Sequence, residues 1–261
     1  MTINYTPLHP TFVAEASGVD FNNITPEVVE EIKEGMAKGN TVFHCDSSFN
    51  PRRAGYSLLL AHELPPAGTG GNTEFADTRT AYDDLPEEHK RAIKDWVLWH
   101  SQHHSRRVAN PGEPLLDQKK ACNNFIIGIR STNNLTIAQF LPTSHPFGKH
   151  KLVQIHEPSG RTNLYIANHA YKVESLPLEQ GQAEIKALLD HCSSPNYVCS
   201  VEWKNDGDLV IWDNTCVMHR AVPGAFEGKY KRDMRRTTVH DSSSYAWGLN
   251  TVGDTWRSGL P

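Results

Sequence analysis

Two residues near the start of the chain, His44 and Asp46, carry side chains that commonly bind metal ions and stand two positions apart. The surrounding residues 41–49 predict a strand. Successive side chains of a strand alternate between its two faces, so the imidazole and the carboxylate would project side by side, as two ligands of one metal ion do. The chain has 14 histidines, so a pair of this kind can arise by chance and carries little weight alone.

A third candidate ligand, His219, lies in a segment near the C-terminus that predicts a hairpin. An apolar strand, a polar turn at Asp213 and a second strand ending at His219 would return a distant histidine to the first pair. Two histidines and one carboxylate leave open positions on an octahedral ion, which is the ligand set of non-heme Fe(II) oxygenases. The alternative for His219 taken alone is a hydrogen-bonded histidine of the core.

The basic segment 229–239 offers partners for an anionic co-substrate. An Fe(II) oxygenase that uses 2-oxoglutarate must hold the distal carboxylate of this acid, and the planar guanidinium of arginine matches a carboxylate well. Arg232 and Arg236 are four residues apart, so in a strand they would share a face, whereas Arg235 would point the other way. A solvated basic edge strand is the alternative, and we prefer it for Arg235 and the neighbouring lysines.

Length and composition indicate an ordinary globular protein. The chain has 261 residues, of which 38% are hydrophobic and 21% charged, and its net charge is -4. It can bury a sizeable core, and its mild acidity gives no reason to expect nucleic acid or a membrane surface as a partner. No apolar run is long enough to span a bilayer. The five cysteines form no CxxC pair, so we expect reduced thiols and a cytoplasmic location.

Hydrophobic spacing predicts three helices and about eight short strands. The helices are expected at residues 25–38, from Pro86 onward with Ile93, Trp96 and Val97 on one face, and at 178–192. The strands are expected at residues 41–49, 56–62, 151–156, 163–167, 197–203, 208–212, 216–220 and 234–240. This pattern favours a mainly β fold with flanking helices, a β-sandwich or jelly roll. We expect one domain over residues 1–261, with a lid or partly ordered insert at about 105–149, where periodicity is weak.

Several separated motifs in a fixed order resemble one known family. They are HCDSSF from His44, GGNTEFADTRTAYDDLP from Gly70, WDN from Trp212 followed by His219, and RTTV from Arg236. With them, the chain from about residue 39 to 241 resembles the taurine/2,4-dichlorophenoxyacetate dioxygenase family, and LHPTF from Leu8 matches too. The resemblance implies a double-stranded β-helix, in agreement with the strand pattern.

The resemblance also implies roles for six residues: iron ligands His44, Asp46 and His219, 2-oxoglutarate contacts Thr73 and Arg232, and Arg236 as the contact to an anionic group of the prime substrate. It implies no catalytic residue beyond the metal site. Fe(II), 2-oxoglutarate and O2 would oxidise a C–H bond of a small carboxylate or sulfonate and release succinate and CO2. Hydroxylation, desaturation, cyclisation and fragmentation stay open as outcomes, as does the substrate itself. The sequence is compatible with a homo-oligomer.

Two features depart from the family pattern. Only 43 residues precede His44, which is fewer than family members usually carry. Either a stretch at Lys38/Gly39 is missing from the sequence, which we prefer, or a segment that would contact the substrate has been deleted. In addition, Thr215 follows the WDN motif at a position where many relatives have arginine, a change that does not touch the ligands.

Two other classes of function compete with an oxygenase. A catalytically silent jelly-roll protein could serve as a binding or sensor module, but such a protein would be free to lose the ligands and both arginines. A zinc hydrolase could use His44, Asp46 and His219. It would leave the threonine and the arginines unexplained, and the sequence offers no obvious general base for it.

Overall fold

The computed structural model describes residues 4–9, 13–17, 42–102, 104–105 and 147–254. The predicted helix at 25–38, the Lys38/Gly39 junction and most of the predicted lid at 105–149 lie outside the described residues. The strands are β1 (Asn4–His9), β2 (Val13–Ser17), β3 (Ala54–Glu63), β4 (Thr73–Asp77), β5 (Val97–His100), β6 (Gly148–Lys151), β7 (Val153–His156), β8 (Arg161–Leu164), β9 (Ala170–Val173), β10 (Val198–Val201), β11 (Leu209–Asp213), β12 (Val217–Ala221) and β13 (Asp233–His240). The helices are α1 (Thr78–Asp83), α2 (Glu87–Ile93) and α3 (Leu178–Cys192), with a 3-10 turn at Pro195–Tyr197. Within these ranges no helix is long and apolar enough to cross a membrane.

All described strand pairs are antiparallel, in the orders β1-β2, β10-β4-β12, β11-β3-β13, β6-β5-β9 and β7-β8. Two of the three-stranded sheets share one apolar cluster. Leu59 and Trp212 come from the β11-β3-β13 sheet, and Phe75, Val201 and Val217 come from the β10-β4-β12 sheet. Side chains that meet between two sheets form the core of a sandwich, so the mainly β prediction is confirmed.

A second apolar cluster joins the helices to the β6-β5-β9 sheet. Ile93 of α2 and Ile185 and Leu188 of α3 pack with Leu98 of β5 and Val173 of β9, and all five side chains are buried. The apolar face of α3 repeats with helical spacing, which is why the predicted helix at 178–192 agrees with the structure at both ends. The helices therefore flank the β core, as expected.

The helix predicted from Pro86 onward ends earlier than its apolar spacing indicated. It stops at Ile93, and Val97 begins β5. Leu98 of β5 lies opposite His150 of β6 on one side and Val173 of β9 on the other. Because β5 is paired on both edges, its backbone N–H and C=O groups find hydrogen-bond partners as a strand. Tertiary context therefore overrides the local helical spacing.

The strand predicted at 41–49 is wrong. Only His44 pairs, as an isolated antiparallel bridge to His219, and residues 46–49 form a turn in which Ser47 has φ 55°. The other predicted strands correspond to β3, β7, β8 and β10 to β13 with shifted ends, whereas β1, β2, β4, β5, β6 and β9 were not predicted. A single domain over residues 1–261 stays a prediction.

Candidate metal centre

Three buried side chains meet where the turn after His44 approaches β12. His44 Nε2 lies 3.9 Å from Asp46 Oδ1, and His219 Nε2 lies 3.7 Å from Asp46 Oδ2. The two imidazole centroids are 4.2 Å apart. One ligand atom from each residue lies within 4.8 Å of the other two, which is close enough for all three to surround one ion after small side-chain adjustments.

Backbone pairing brings the two histidines together. The N–H of His44 donates to the carbonyl of His219 at 3.0 Å, and the N–H of His219 donates to the carbonyl of His44 at 2.9 Å. Residues directly opposite each other in an antiparallel pair present their side chains to the same face. The imidazoles therefore meet because of this one bridge, and Asp46 joins them from the turn rather than from a strand.

The segment that carries His219 is not the predicted hairpin. β11 pairs with β3 and β12 pairs with β4, so the chain crosses from one sheet to the other between Asp213 and Val217. The crossing turn, residues 213–216, is held at both sheets. The N–H of Asn214 donates to the carbonyl of Gly55 at 2.7 Å, and the carbonyl of Cys216 accepts from the hydroxyl of Thr78 at 2.8 Å.

Asp46 is oriented by β3 and by the crossing turn. The Ser57 hydroxyl donates to Asp46 Oδ2 at 2.7 Å and accepts from Asn214 Nδ2 at 2.6 Å. Asn214 Oδ1 accepts from the backbone N–H of Asp46 at 3.0 Å and from the indole of Trp212 at 2.8 Å. Partners of this kind orient the groups that bind a metal. Sequence reasoning missed Ser57, which no motif marks.

The tautomer of His44 and the lowered pKa of His219 both suit metal binding. His44 Nδ1 lies 2.8 Å from the carbonyl of Val42, an acceptor, so Nδ1 carries a proton and, in the neutral imidazole, Nε2 has the lone pair that a metal would bind. Burial, together with His44, Arg236 and His169 nearby, holds the pKa of His219 well below its usual range. His219 is therefore a neutral imidazole, the form that binds metals.

The buried nitrogens of His219 provide a test of whether a metal fits. Neither Nδ1 nor Nε2 has a hydrogen-bond partner among the described residues. A buried polar atom without a partner costs free energy, and such atoms are uncommon in folded proteins. A divalent ion bound at Nε2, beside the carboxylate of Asp46, would satisfy this nitrogen, so the donor set fits such an ion.

Arg236 also reaches Asp46. Its Nη1 donates to Asp46 Oδ1, and its side chain is 25% exposed. Arg236 lies on β13 opposite Leu59 of β3. The predicted shared face with Arg232 does not apply, because β13 begins one residue after Arg232 and its register shifts between Asp233 and Met234.

Thr73 and Arg232 lie beside one small cleft, where each contacts a residue of its lining. Arg232 Nη2 donates to the carbonyl of Gly71 at 2.7 Å, and Trp203 Nε1 donates to Thr73 Oγ1 at 3.2 Å. Trp203, Gly71 and Arg232 line one small cleft. Gly71 has φ +88°, and a Cβ there would lie 3.1 Å from Arg232 Nε, so glycine permits both the turn and the approach of the guanidinium. Sequence reasoning missed Trp203.

A further histidine, His169, lies beside the centre. Its ring centroid is 5.7 Å from that of His44, and its Nδ1 is 2.8 Å from the hydroxyl of Ser48. The same hydroxyl lies 3.1 Å from His100 Nδ1. The unusual number of histidines was the only sequence signal for this buried group, and it identified no individual member.

Comparisons with known proteins define the family. The model of the taurine catabolism dioxygenase TauD, TfdA family matches residues 27–238, so the chain belongs to this family. The chain is 37% identical to the alpha-ketoglutarate-dependent 2,4-dichlorophenoxyacetate dioxygenase of Burkholderia sp. (strain RASC), over 77% of this chain and 58% of that protein. It is 34% identical to the enzyme of the same name from Cupriavidus pinatubonensis, over 78% of this chain and 61% of that protein. The chain thus spans about three fifths of the length of these relatives.

A solved structure supports the same assignment. The crystal structure of AAD-2 in complex with Mn(II) and N-oxalylglycine matches with a TM-score of 0.72 and 30% identity, over 92% of this chain and 98% of that one. The predicted double-stranded β-helix and the predicted family are both confirmed.

Proposed function

We propose that this chain is an Fe(II)- and 2-oxoglutarate-dependent oxygenase that binds iron through His44, Asp46 and His219. The observation that carries the proposal is the convergence of two imidazoles and one carboxylate, with ligand atoms within 4.8 Å of one another. The names of the 2,4-dichlorophenoxyacetate dioxygenases and the Mn(II) in the AAD-2 structure support it. Three protein ligands leave open positions on an octahedral ion, as non-heme Fe(II) oxygenases require.

The side chains position the reactants, and bound Fe(II) supplies the activation of O2 that no side chain provides. Ser57 and Asn214 fix the plane of the Asp46 carboxylate, and the carbonyl of Val42 fixes the tautomer of His44. His219 is fully buried, so its side of the centre excludes water, which limits side reactions. The ligand set retains its carboxylate, which argues against a halogenase.

We assign Thr73 and Arg232 to the distal carboxylate of 2-oxoglutarate. Thr73 and Phe75 project from the same face of β4, and Phe75 lies opposite His219 in the pairing with β12. Two residues along a strand rise about 7 Å, which is comparable to the length of a five-carbon dicarboxylate. Such a molecule could therefore extend from the metal to Thr73. The half-buried guanidinium of Arg232 contributes positive charge at that end.

We assign Arg236 to an anionic group of the prime substrate. Its guanidinium contacts Asp46 and has several donors in a planar fork, so one edge can face Asp46 while another binds a carboxylate or sulfonate near the metal. Relatives named for 2,4-dichlorophenoxyacetate, (S)-phenoxypropionate and an alkylsulfatase support an anionic substrate.

We also propose a cytoplasmic location. Among the described residues, Cys45, Cys192, Cys199 and Cys216 are free thiols, which supports a reducing compartment. The net charge of -4 gives no support for nucleic acid as a partner.

Succinate formation from 2-oxoglutarate tests this function. We expect Fe(II)- and O2-dependent succinate that rises when a matching carboxylate or sulfonate is added. His44→Ala should abolish it, whereas His62→Ala, at an exposed position of β3, should not. Equal succinate from wild type and His44→Ala would contradict the proposal. Ester hydrolysis that needs Zn²⁺ and no 2-oxoglutarate would favour the hydrolase instead.

A further inference from the structure

A second group of ligand-type side chains lies at the crossing turn, on residues that the proposed oxygenase chemistry does not use. His156 of β7, Asp213 and Cys216 each offer one ligand atom within 4.8 Å of the other two. We propose that these three residues form a second metal site, distinct from the His44, Asp46 and His219 centre, that takes a borderline ion such as Zn²⁺. This proposal does not depend on the proposed oxygenase activity.

The spacing of two of the ligands already suits a metal. His156 Nε2 and Asp213 Oδ2 are 3.0 Å apart. Bonds of about 2.0 Å to a tetrahedral ion place neighbouring nitrogen and oxygen ligands roughly 3.3 Å apart. An ion can therefore replace the shared proton of the hydrogen bond between His156 and Asp213 if both side chains move by a few tenths of an ångström.

Both of these side chains are oriented by further hydrogen bonds. The backbone N–H and the hydroxyl of Thr215 donate to Asp213 Oδ1 at 2.7 and 2.5 Å, so Oδ2 is left for His156. The hydroxyl of Ser159 lies 2.7 Å from His156 Nδ1. When Nδ1 donates to Ser159, Nε2 presents its lone pair toward Asp213, which is the usual arrangement of a histidine that binds a metal.

Charge beside the turn favours a cation. A cavity of about 140 Å³ is lined by His156, Glu157, Asp213, Arg53 and Asp241, among others. The guanidinium of Arg53 is paired with Asp241 at 2.7 Å, so the carboxylates of Glu157 and Asp213 leave the lining with an excess of negative charge. A lining of this sign attracts positive ions.

Asn163 supplies an independent sign of a missing ligand. It is 1% exposed and lines the same cavity. Its amide N–H donates to the carbonyl of Thr215 at 2.7 Å, but its Oδ1 is buried without a partner among the described residues. A metal ion, or a water molecule bound to one, would satisfy this acceptor.

The thiol of Cys216 decides which ion fits. Sulfur is a soft ligand, so a site with one sulfur, one nitrogen and one carboxylate oxygen prefers Zn²⁺ to Mg²⁺ or Ca²⁺. Burial, and then the nearby Asp213, raise the pKa of Cys216 well above its ordinary value. The thiol is therefore protonated without a metal, and binding must release its proton. Bound metal would tie β7 to the crossing turn and stabilise the fold.

Cobalt(II) distinguishes the two sites, because only a cobalt–thiolate bond gives a strong near-ultraviolet charge-transfer band. The full chain carrying His44→Ala, in which the first centre has lost a ligand, is titrated with cobalt(II) and separately with Zn²⁺. We expect the thiolate band to saturate at one cobalt per chain and Zn²⁺ to raise Tm. Adding Cys216→Ser or His156→Gln should abolish both effects. Adding Cys199→Ser, which removes a half-buried thiol outside the group, should leave both.

Absence of the band from the His44→Ala chain would overturn the proposal, as would a band that survives Cys216→Ser. Loss of the band on Cys45→Ser alone would also overturn it, because Cys45 and not Cys216 would then be the thiolate ligand. In the structure Cys45 Sγ lies against the carbonyls of Ile166 and Val217, outside the proposed site. His156→Gln keeps the thiol, so it tests the site even if Cys216→Ser fails to fold. The first centre contains no sulfur and therefore cannot produce the thiolate band. The cobalt result thus stands whether or not the oxygenase assays succeed.

Discussion

Replacing Ser57 by alanine should weaken iron binding without removing a ligand. Ser57 is fully buried, donates to Asp46 Oδ2 at 2.7 Å and accepts from Asn214 Nδ2 at 2.6 Å. Alanine would leave Asp46 free to rotate and would leave the Asn214 amide N–H without its acceptor. Both changes act on the orientation of the carboxylate that we propose as a metal ligand.

The expected magnitude follows from the hydrogen bonds lost. A hydrogen bond to a charged group contributes about 1.5–3 kcal/mol, which corresponds to roughly tenfold to hundredfold in affinity. Loss of a residue that orients a metal ligand typically costs about the same factor. We therefore expect the Kd for Fe(II) to rise by about 10–100-fold in Ser57→Ala.

Anaerobic titration of Fe(II) in the presence of 2-oxoglutarate measures this change. Ser101→Ala is the matched control, because Ser101 is equally buried and its hydroxyl accepts from the backbone of His104 rather than contacting a proposed ligand. Its Kd should stay within about twofold of wild type. An unchanged Kd in Ser57→Ala, or an equal loss in Ser101→Ala, would refute the reasoning about Asp46.

Three further predictions follow from the same structure. Arg236→Gln should raise KM for an anionic substrate by about 10–100-fold, because one charged hydrogen-bond partner is lost. At saturating Fe(II), which offsets the loss of its contact with Asp46, substrate-independent succinate formation should survive. Arg235→Gln, on the exposed neighbour paired with Asp233, should change neither quantity, and equal effects of the two variants would count against the assignment. Arg232→Gln should raise KM for 2-oxoglutarate by a similar factor in steady-state assays, and an unchanged KM would remove Arg232 from that role. Burial lowers the pKa of His100 from 6.5 to about 3, so between these pH values the unfolded chain binds a proton that the folded chain does not, and stability falls as the pH drops. Between pH 6.5 and pH 5 this residue alone should lower the free energy of unfolding by about 2 kcal/mol. Urea unfolding of His100→Asn should show a pH dependence that is smaller by that amount. The same pH dependence as wild type would contradict the prediction.

Residues with a local signature were the ones that sequence reasoning found. His44 and Asp46 stand two apart and the WDN motif precedes His219 closely, but this spacing carries little weight alone. The resemblance of several motifs to one family is what assigned all three as ligands. α3 was predicted to its ends because one repeating apolar face decides both its formation and its packing. The reason given for the first pair was nevertheless wrong, since His44 and Asp46 lie in a bridge and a turn rather than a strand.

Residues that depend on distant contacts escaped prediction. Ser57 and Trp203 were missed: Ser57 contacts Asn214, which is 157 positions away, and Trp203 contacts Thr73, which is 130 positions away. No local pattern marks such pairs. The crossing turn was predicted as a hairpin for the same reason. β11 pairs with β3 and β12 pairs with β4, and these distant strands, rather than the turn itself, decide that β11 and β12 do not pair with each other.

Visible absorption of the anaerobic chain with Fe(II) and 2-oxoglutarate tests the central claim most directly. Our account predicts a weak charge-transfer band that saturates at one iron per chain, disappears on exposure to O2 with formation of succinate, and is absent from His44→Ala and His219→Ala. A wild-type chain without the band, or a band that both histidine variants keep, would contradict an iron centre at His44, Asp46 and His219.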